Sequence, residues 1–220
     1  HGYIGRIWSR ILMNSLYQFI IKPIGDRYNN EMKIKDKNLI INSSISDHNF
    51  INRTAEIISV PLGFKTKIQK GDTVIVHHNL FRRYYNMKGK SVNGSKFFKN
   101  NLCFAEDNQI FLYKNKDIWK TNLDFCFVIP LIENDNSKYI KLKKNIGLLK
   151  YGNNTLEALE IAPSDLIGFK PNREFKFIID NELLYCMQSN DITIKYEHQG
   201  NEIKYNPSWA KSSWRINKSC

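Results

Sequence analysis

The sequence predicts an all-β protein built from two similar units. Short apolar runs separated by turn residues recur along most of its 220 residues, whereas helical periodicity is almost absent. Residues 71–76 (GDTVIV) form a turn followed by an apolar strand, and residues 164–169 (SDLIGF) repeat that arrangement. Because further segments recur around each copy in the same order, we infer an internal duplication.

The segments around the two copies define the extent of each unit. Upstream, residues 55–60 correspond to 146–151, and downstream residues 107–113 correspond to 180–185. Many short strands with closely spaced turns are typical of small β-barrels or sandwiches, and we expect two barrels in tandem. We divide the chain into an N-terminal extension (1–14), a first barrel (15–130), a second barrel (131–197) and a C-terminal tail (198–220).

The first unit begins with an apolar strand over residues 15–24, which ends at Pro23 because proline cannot donate a hydrogen bond to a sheet. A polar segment, 28–53, follows and contains one aliphatic triplet, 39–41 (LII). Its length and polarity predict a long mobile loop. Further strands are predicted at 56–60, 73–76, 110–113 and 125–129, and Pro130 ends the last of them.

A basic insertion, residues 79–103, interrupts the first unit and has no counterpart in the second. It carries six lysines or arginines and no acidic residue, and aromatic residues lie between the cations. This combination can bind nucleic acid, although a solvated loop with its aromatic rings turned inward is commoner. Because the second unit manages without it, we expect the insertion to be dispensable for folding.

The second unit has a shorter polar segment, at about residues 134–144, in the place of the long loop. Its strands are predicted at 147–151, 166–169, 175–179, 183–186 and 192–196. The tail beyond residue 197 is polar but carries Trp209 and Trp214, whose large rings need a surface to pack on.

Composition narrows the class of protein. The chain is 42% hydrophobic, which is enough for ordinary cores, and its formal charge of +12 favours acidic partners or nucleic acid. No apolar run approaches the roughly 18 residues of a membrane span. The four cysteines are scattered without metal-binding spacing, which fits a reducing cytoplasm.

Catalytic and metal-binding patterns give little support to an enzyme. His77 and His78 are neighbours at a strand end, where side chains point to opposite faces, so we expect no shared metal ion. Asp72 and Asp165 each follow a turn residue, where aspartate commonly caps the backbone. No nucleophile–base set or phosphate-binding glycine loop is present, and we expect no catalytic residue and no cofactor.

Several segments together resemble a known family. They are 23–27 (PIGDR), 54–60 (TAEIISV), 70–76 (KGDTVIV), 180–182 (DNE) and 187–192 (MQSNDI). As an ordered set, covering about residues 19–197, they resemble the GroES-like co-chaperonins of the chaperonin-10 family. The asparagine- and lysine-rich usage, the doubling and the insertion suggest a divergent, viral member.

The resemblance implies a doubled Greek-key-like barrel whose mobile loop carries an apolar tripeptide that docks on a chaperonin ring. Leu39, Ile40 and Ile41 occupy the matching place. It also implies a homo-oligomer, a sevenfold ring in the family, with any ATP hydrolysis belonging to the partner. The chain departs from the family pattern: the glycines beside the tripeptide are missing, the second unit lacks the loop, and the roof hairpin is reduced to residues 61–67.

The expected function is therefore that of a cytoplasmic co-chaperonin that caps a chaperonin cavity and has no chemistry of its own. The alternatives are a nucleic-acid-binding protein, which we favour less, and a viral structural protein built on the same barrels. Either nucleic acid or a neighbouring subunit would contact the basic insertion, through Arg82, Arg83, Tyr84, Lys88 and Lys90. No membrane partner is expected.

Overall fold

The computed structural model describes residues 14–29, 31–34, 37–40, 47–133 and 141–197. These residues form sixteen strands, one short α-helix and a few 3-10 turns, so the all-β prediction is confirmed. No helix in this part of the chain is long and apolar enough to cross a membrane. Apart from Asn14, the predicted N-terminal extension lies outside the described residues, as does the whole C-terminal tail.

The chain divides into two compact units, residues 1–118 and 119–220. The strands up to the boundary are β1 (Phe19–Pro23), β2 (Glu31–Ile34), β3 (Lys37–Ile40), β4 (Thr54–Ser59), β5 (Thr73–Val76), β6 (Arg83–Tyr85), β7 (Ser91–Asn93), β8 (Cys103–Ala105), β9 (Ile110–Asn115) and β10 (Ile118–Thr121). The later elements are β11 (Phe125–Glu133), β12 (Lys141–Tyr151), α1 (Asn154–Ala158), β13 (Leu166–Phe169), β14 (Phe175–Ile179), β15 (Glu182–Gln188) and β16 (Ile192–Lys195).

Two six-stranded antiparallel sheets contain most of these strands. Their orders are β10-β9-β5-β4-β1-β8 and β14-β15-β11-β12-β13-β16. Five strands recur in the same spatial and chain order, since β9-β5-β4-β1-β8 matches β16-β13-β12-β11-β15. Neither sheet is closed, so the two tandem barrels stay a prediction, whereas the repeated strand order is a property of the fold.

The two copies of the anchor turn have the same hydrogen bonds. The Asp72 carboxylate accepts from the Gln69 N–H at 2.8 Å, and the Asp165 carboxylate accepts from the Ala162 N–H at 2.9 Å. The residue before each aspartate, Gly71 or Ser164, has a positive φ of 90° or 77°. The aspartates therefore cap their turns, as their positions in the sequence indicate.

The upstream part of the predicted correspondence between the units is shifted by one residue, since Ile57 matches Leu149, and the downstream part is wrong. The segment that matches β9 is β16, and not residues 180–185, because β9 and β16 both pair with the strand that follows the anchor turn. Val76 faces Ile110 in one sheet and Phe169 faces Ile192 in the other, each beside an irregularity in the register. Residues 180–185 instead span a hairpin turn and the start of β15.

The strand at residues 125–129 belongs to the second sheet, which corrects its assignment to the first unit. β11 pairs with β12 and β15 and continues through Pro130 to Glu133. Proline is tolerated there because the ladder to β15 ends at Val128, before the residue that lacks an N–H. Pro130 faces Gly147 as Pro23 faces Ala55, so the two prolines are equivalent positions of the repeat.

Each unit has its own apolar core. The first is formed by the inward side chains of its sheet, together with Leu80 and Phe81 from the basic insertion. The second is formed around β11, β12, β13 and β15, with Leu156 of α1. Burial of these aliphatic and aromatic groups supplies the main driving force for folding of each unit.

Candidate functional site

Two residues of the predicted docking triplet, Leu39 and Ile40, lie in a hairpin that is separate from the six-stranded sheets. Strands β2 and β3 pair only with each other, with Met32 opposite Leu39 and Glu31 opposite Ile40. The side chains of Leu39 and Ile40, and the whole of Ile41, lie outside the described part of the chain. The backbone therefore places Leu39 and Ile40 on a strand between β1 and β4 in the chain that is not part of the first six-stranded sheet.

The basic insertion is fixed to the first core at both ends. Leu80 and Phe81 are fully buried at its start, and Leu102 and Cys103 are buried at its end. Phe97 packs against the same core. Burial at both ends argues against dispensability of the whole insertion, and we expect only the part between the anchored ends to be dispensable for folding.

Arg27 connects the opening turn of the first unit to the insertion. Its side chain is only 5% exposed, and its Nε and Nη2 donate to the Phe81 carbonyl at 3.0 and 2.6 Å. Its Nη1 donates to Asn93 Oδ1 at 2.6 Å, and its guanidinium lies 5.2 Å from the Phe97 ring centre. Burial lowers the pKa of Arg27 from its ordinary value, because loss of water penalises the charged form, and the nearby Arg83 charge lowers it further.

Between its anchored ends the insertion forms the β6–β7 hairpin. Asn86 organises its turn, since its side-chain oxygen accepts from the N–H groups of Lys88 and Lys90 at 3.0 and 2.9 Å. Gly89 supplies the positive φ of 72° that the turn requires. Every residue of β6 and β7 is exposed, and Met87 stands fully exposed at the tip.

Two pairs of cations and aromatic rings lie at the base of the hairpin. The Arg82 guanidinium lies 5.1 Å from the centre of the Tyr84 ring, and Lys99 Nζ lies 5.0 Å from that of Phe98. Tyr84 fits closely against Gly94, where a β-carbon would come within 3.1 Å of its ring. The rings of Tyr84 and Phe98 are thus positioned by cations on the surface of the protein.

The charge of the insertion is almost uncompensated. Of its six cations, Lys96 alone pairs with a carboxylate, that of Glu106, among the ion pairs of the described residues. No acidic residue lies between Asp72 and Glu106 in the sequence. The predicted contact residues all lie in this segment, in or beside the β6–β7 hairpin: Arg82, Arg83, Tyr84, Lys88 and Lys90.

The histidines at the end of β5 do not point to opposite faces as expected. Strand β5 ends at Val76, and His77 begins a 3-10 turn, so the rings of His77 and His78 stack with centres 4.4 Å apart. The His48 ring lies 5.5 Å from that of His78. Even so, no group of three or more metal-ligand side chains comes together among the described residues.

His77 and His78 hold protons less readily than an ordinary histidine. Burial lowers the pKa of His78 to about 4, with further lowering by His77, Arg53, His48 and Arg82. Burial and the Arg53 charge also lower the pKa of His77. Both rings are therefore neutral near pH 7, and His77 uses its Nδ1 to accept from the Asn79 N–H at 3.2 Å.

The cysteines in the described part of the chain form no disulfide and are buried. Burial raises the pKa of Cys126 to about 12 and raises that of Cys103 from its ordinary value. A thiol with a raised pKa stays protonated at neutral pH and is a poor nucleophile. These positions fit packing in the two cores.

Comparison with known proteins finds no family whose sequence model matches this chain and no curated protein that matches it. The likeness to the GroES-like co-chaperonins therefore rests on the residues quoted above.

Sequence reasoning missed three features of the site. Arg27 belongs to the 23–27 motif, but nothing in the sequence predicts its contact with the insertion, because its main acceptor is a backbone carbonyl. His48 is distant in sequence from His77 and His78, and no spacing rule connects them. The outward direction of the hairpin rings also has no sequence signature, because alternation fits either face.

Proposed function

We propose that this protein is a tandem GroES-like co-chaperonin that caps a chaperonin ring in the cytoplasm. Each of its two open sheets is the counterpart of one small barrel, and the segment around Leu39, Ile40 and Ile41 docks on the ring. Further copies of the chain assemble into a ring of matching symmetry, seven subunits in the family. The protein supplies no chemistry and needs no cofactor, and ATP hydrolysis belongs to the chaperonin.

The observation that carries this proposal is the position of the β2–β3 hairpin. It lies between β1 and β4, where the family carries its docking loop, and it is excluded from the six-stranded sheet. A strand of the sheet wall would be fixed in the core and could not serve as a docking element. The repeated strand order and the matched anchor turns support the tandem arrangement.

The energetics of such docking are reasonable. A segment that becomes ordered on binding loses conformational entropy, so a few well-buried aliphatic side chains must supply most of the affinity. Small clusters commonly carry most of the energy of an interface. One docking segment in each chain, multiplied around a ring, gives strong total binding from weak individual contacts.

A pull-down tests the proposal. Tagged protein is mixed with a purified bacterial-type chaperonin, with and without ATP, and retained material is viewed by electron microscopy. We expect nucleotide-dependent retention and additional density over one end of the chaperonin ring. Absence of retention under both conditions, or density on the outer wall of the ring, would contradict a capping function.

A further inference from the structure

We propose that the β6–β7 hairpin and the adjoining Phe98–Lys99 segment form a binding surface for single-stranded nucleic acid. This inference is independent of the docking function, because it concerns a different hairpin. The sequence alone favours a loop with its aromatic rings inside. The structure instead separates an anchored base, with Phe81 and Phe97 on the core, from an outer part whose rings are exposed.

The outer part of the insertion exposes three aromatic rings that could stack on bases. Tyr85 is 59% exposed, and Tyr84 and Phe98 are each 41% exposed. All three are held on ordered strands or turns, so little entropy is lost when a flat group packs on them. Unpaired bases stack on such rings whatever their sequence, whereas the bases of a duplex are already stacked on one another.

The same part of the protein carries positive charge that could bind phosphates. Arg83, Lys88, Lys90 and Lys99 are exposed and have no carboxylate partner among the described residues. Cations that are not paired within the protein can neutralise phosphates and release the counterions that surround a nucleic acid strand. Arg83 and Tyr85 are two residues apart in β6, so their side chains share one face of the hairpin and can contact a phosphate and a base of the same strand.

An anionic lipid surface is the competing partner, because it is negatively charged like nucleic acid and could bind the same cations. Lysines beside an exposed methionine, as at the hairpin tip, could contact headgroups. The rings of Tyr84 and Phe98 lie beneath or beside cations, at 5.1 and 5.0 Å, near the base of the hairpin and away from that tip. This arrangement favours a strand that runs along the hairpin over a membrane that meets its end.

The test measures fluorescence anisotropy with a labelled oligouridine of about 20 nucleotides, longer than the roughly 4–16 nucleotides that small binding domains cover. The charge variant is Arg83→Gln/Lys88→Gln/Lys90→Gln. Its matched control removes three exposed lysines elsewhere in the same unit: Lys65→Gln/Lys67→Gln/Lys70→Gln. Each variant loses three positive charges, so the nonspecific electrostatic attraction between protein and oligonucleotide falls equally in both. A difference between them therefore reports the location of the charges.

We expect the wild type to bind and its affinity to fall steeply between about 50 and 200 mM salt. The charge variant should lower the slope of log affinity against log salt by about 2, because each phosphate that is no longer neutralised reduces that slope by about 0.7. The control should leave the slope within error. Tyr85→Ala should weaken binding at least about fivefold without changing the melting temperature, because its side chain is exposed.

Three results would overturn the proposal. They are no binding by the wild type, an equal loss in the control and charge variants, and a Tyr85→Ala variant that binds as tightly as the wild type. Duplex RNA and phosphatidylserine vesicles are measured in parallel. Binding to either at least as tight as that to oligouridine would rule out the single-strand assignment and, for vesicles, establish a membrane surface instead.

Discussion

Arg27 donates two hydrogen bonds to one acceptor, the backbone carbonyl of Phe81, from its Nε at 3.0 Å and its Nη2 at 2.6 Å. The arginine follows the opening turn of the first unit, and the phenylalanine begins the basic insertion. The pair therefore fixes a surface hairpin to the core through a buried charge. A planar guanidinium can do this, whereas a lysine ammonium presents no such fork.

Removing this arginine should destabilise the first unit. Arg27→Leu leaves the buried Phe81 carbonyl without its donor, and we expect a loss of about 2–4 kcal/mol in the free energy of unfolding, measured with urea at pH 7. Arg27→Lys should recover less than half of it. Arg173→Leu, at an exposed arginine, is the control and should change the value by less than about 0.5 kcal/mol. Equal changes in the free energy of unfolding for Arg27→Leu and Arg173→Leu would show that the buried Arg27 contact does not stabilise the protein.

Shortening the insertion should be tolerated only between its anchors. Replacing residues 84–92 with Asn-Gly keeps Phe81, Phe97 and the Arg27 partner Asn93, and the protein should stay soluble with a cooperative melt. Replacing 79–101 removes Leu80 and Phe81 from the core, at a cost of about 2–5 kcal/mol for each large side chain. Circular dichroism melts of the two deletions compare them directly. A folded 79–101 deletion would show that these residues are not needed in the core.

The two anchor turns should respond oppositely to exchange of their first residues. Gly71 and Ser164 both have positive φ, a conformation that serine adopts at a cost. Gly71→Ser should destabilise the protein by about 1 kcal/mol, and Ser164→Gly should be neutral or stabilise it by up to about 1 kcal/mol. Denaturant unfolding measures both. Stabilisation by Gly71→Ser would contradict the conformation assigned to the turn.

Stability should fall in acid because of the histidine cluster. The folded pKa of His78, about 4, is below the ordinary value of 6.5, so the unfolded chain binds more protons between these values. The free energy of unfolding should therefore drop as pH falls from 6.5 to about 4, by about 1–2 kcal/mol after allowance for solvent screening. His78→Gln should flatten this part of the profile. An NMR titration that gives His78 a pKa near 6.5 in the folded protein would contradict the prediction.

The sequence predicted the strands better than their pairing. The strands at 73–76, 166–169 and 175–179 have the predicted bounds, because apolar runs bounded by turn residues have few alternatives. The predicted match of residues 107–113 with residues 180–185 failed because the dipeptide Asp-Asn, which begins both segments, adopts a different structure in each. Asp107-Asn108 opens a 3-10 turn, whereas Asp180-Asn181 forms a hairpin turn with positive φ at both residues.

The site was less predictable than the fold. Charge and ring composition located the basic insertion, but burial of Phe81 and exposure of Tyr85 depend on which side of a hairpin meets the core. Local sequence carries no information on that choice, since both orientations preserve the alternation of side chains. Long-range contacts such as that of Arg27 with Phe81 arise only once the sheet has formed.

The most direct test of the co-chaperonin proposal pairs a melt with a chaperonin pull-down on Leu39→Ala/Ile40→Ala/Ile41→Ala. The control truncates one leucine and two isoleucines that are exposed elsewhere: Leu62→Ala/Ile178→Ala/Ile194→Ala. If residues 39–41 dock, their variant should melt within a few degrees of the wild type and lose chaperonin binding, while the control keeps it. Truncation of core side chains would instead cost about 2–5 kcal/mol each. A large fall in melting temperature, or intact binding by the folded variant, would contradict the assignment.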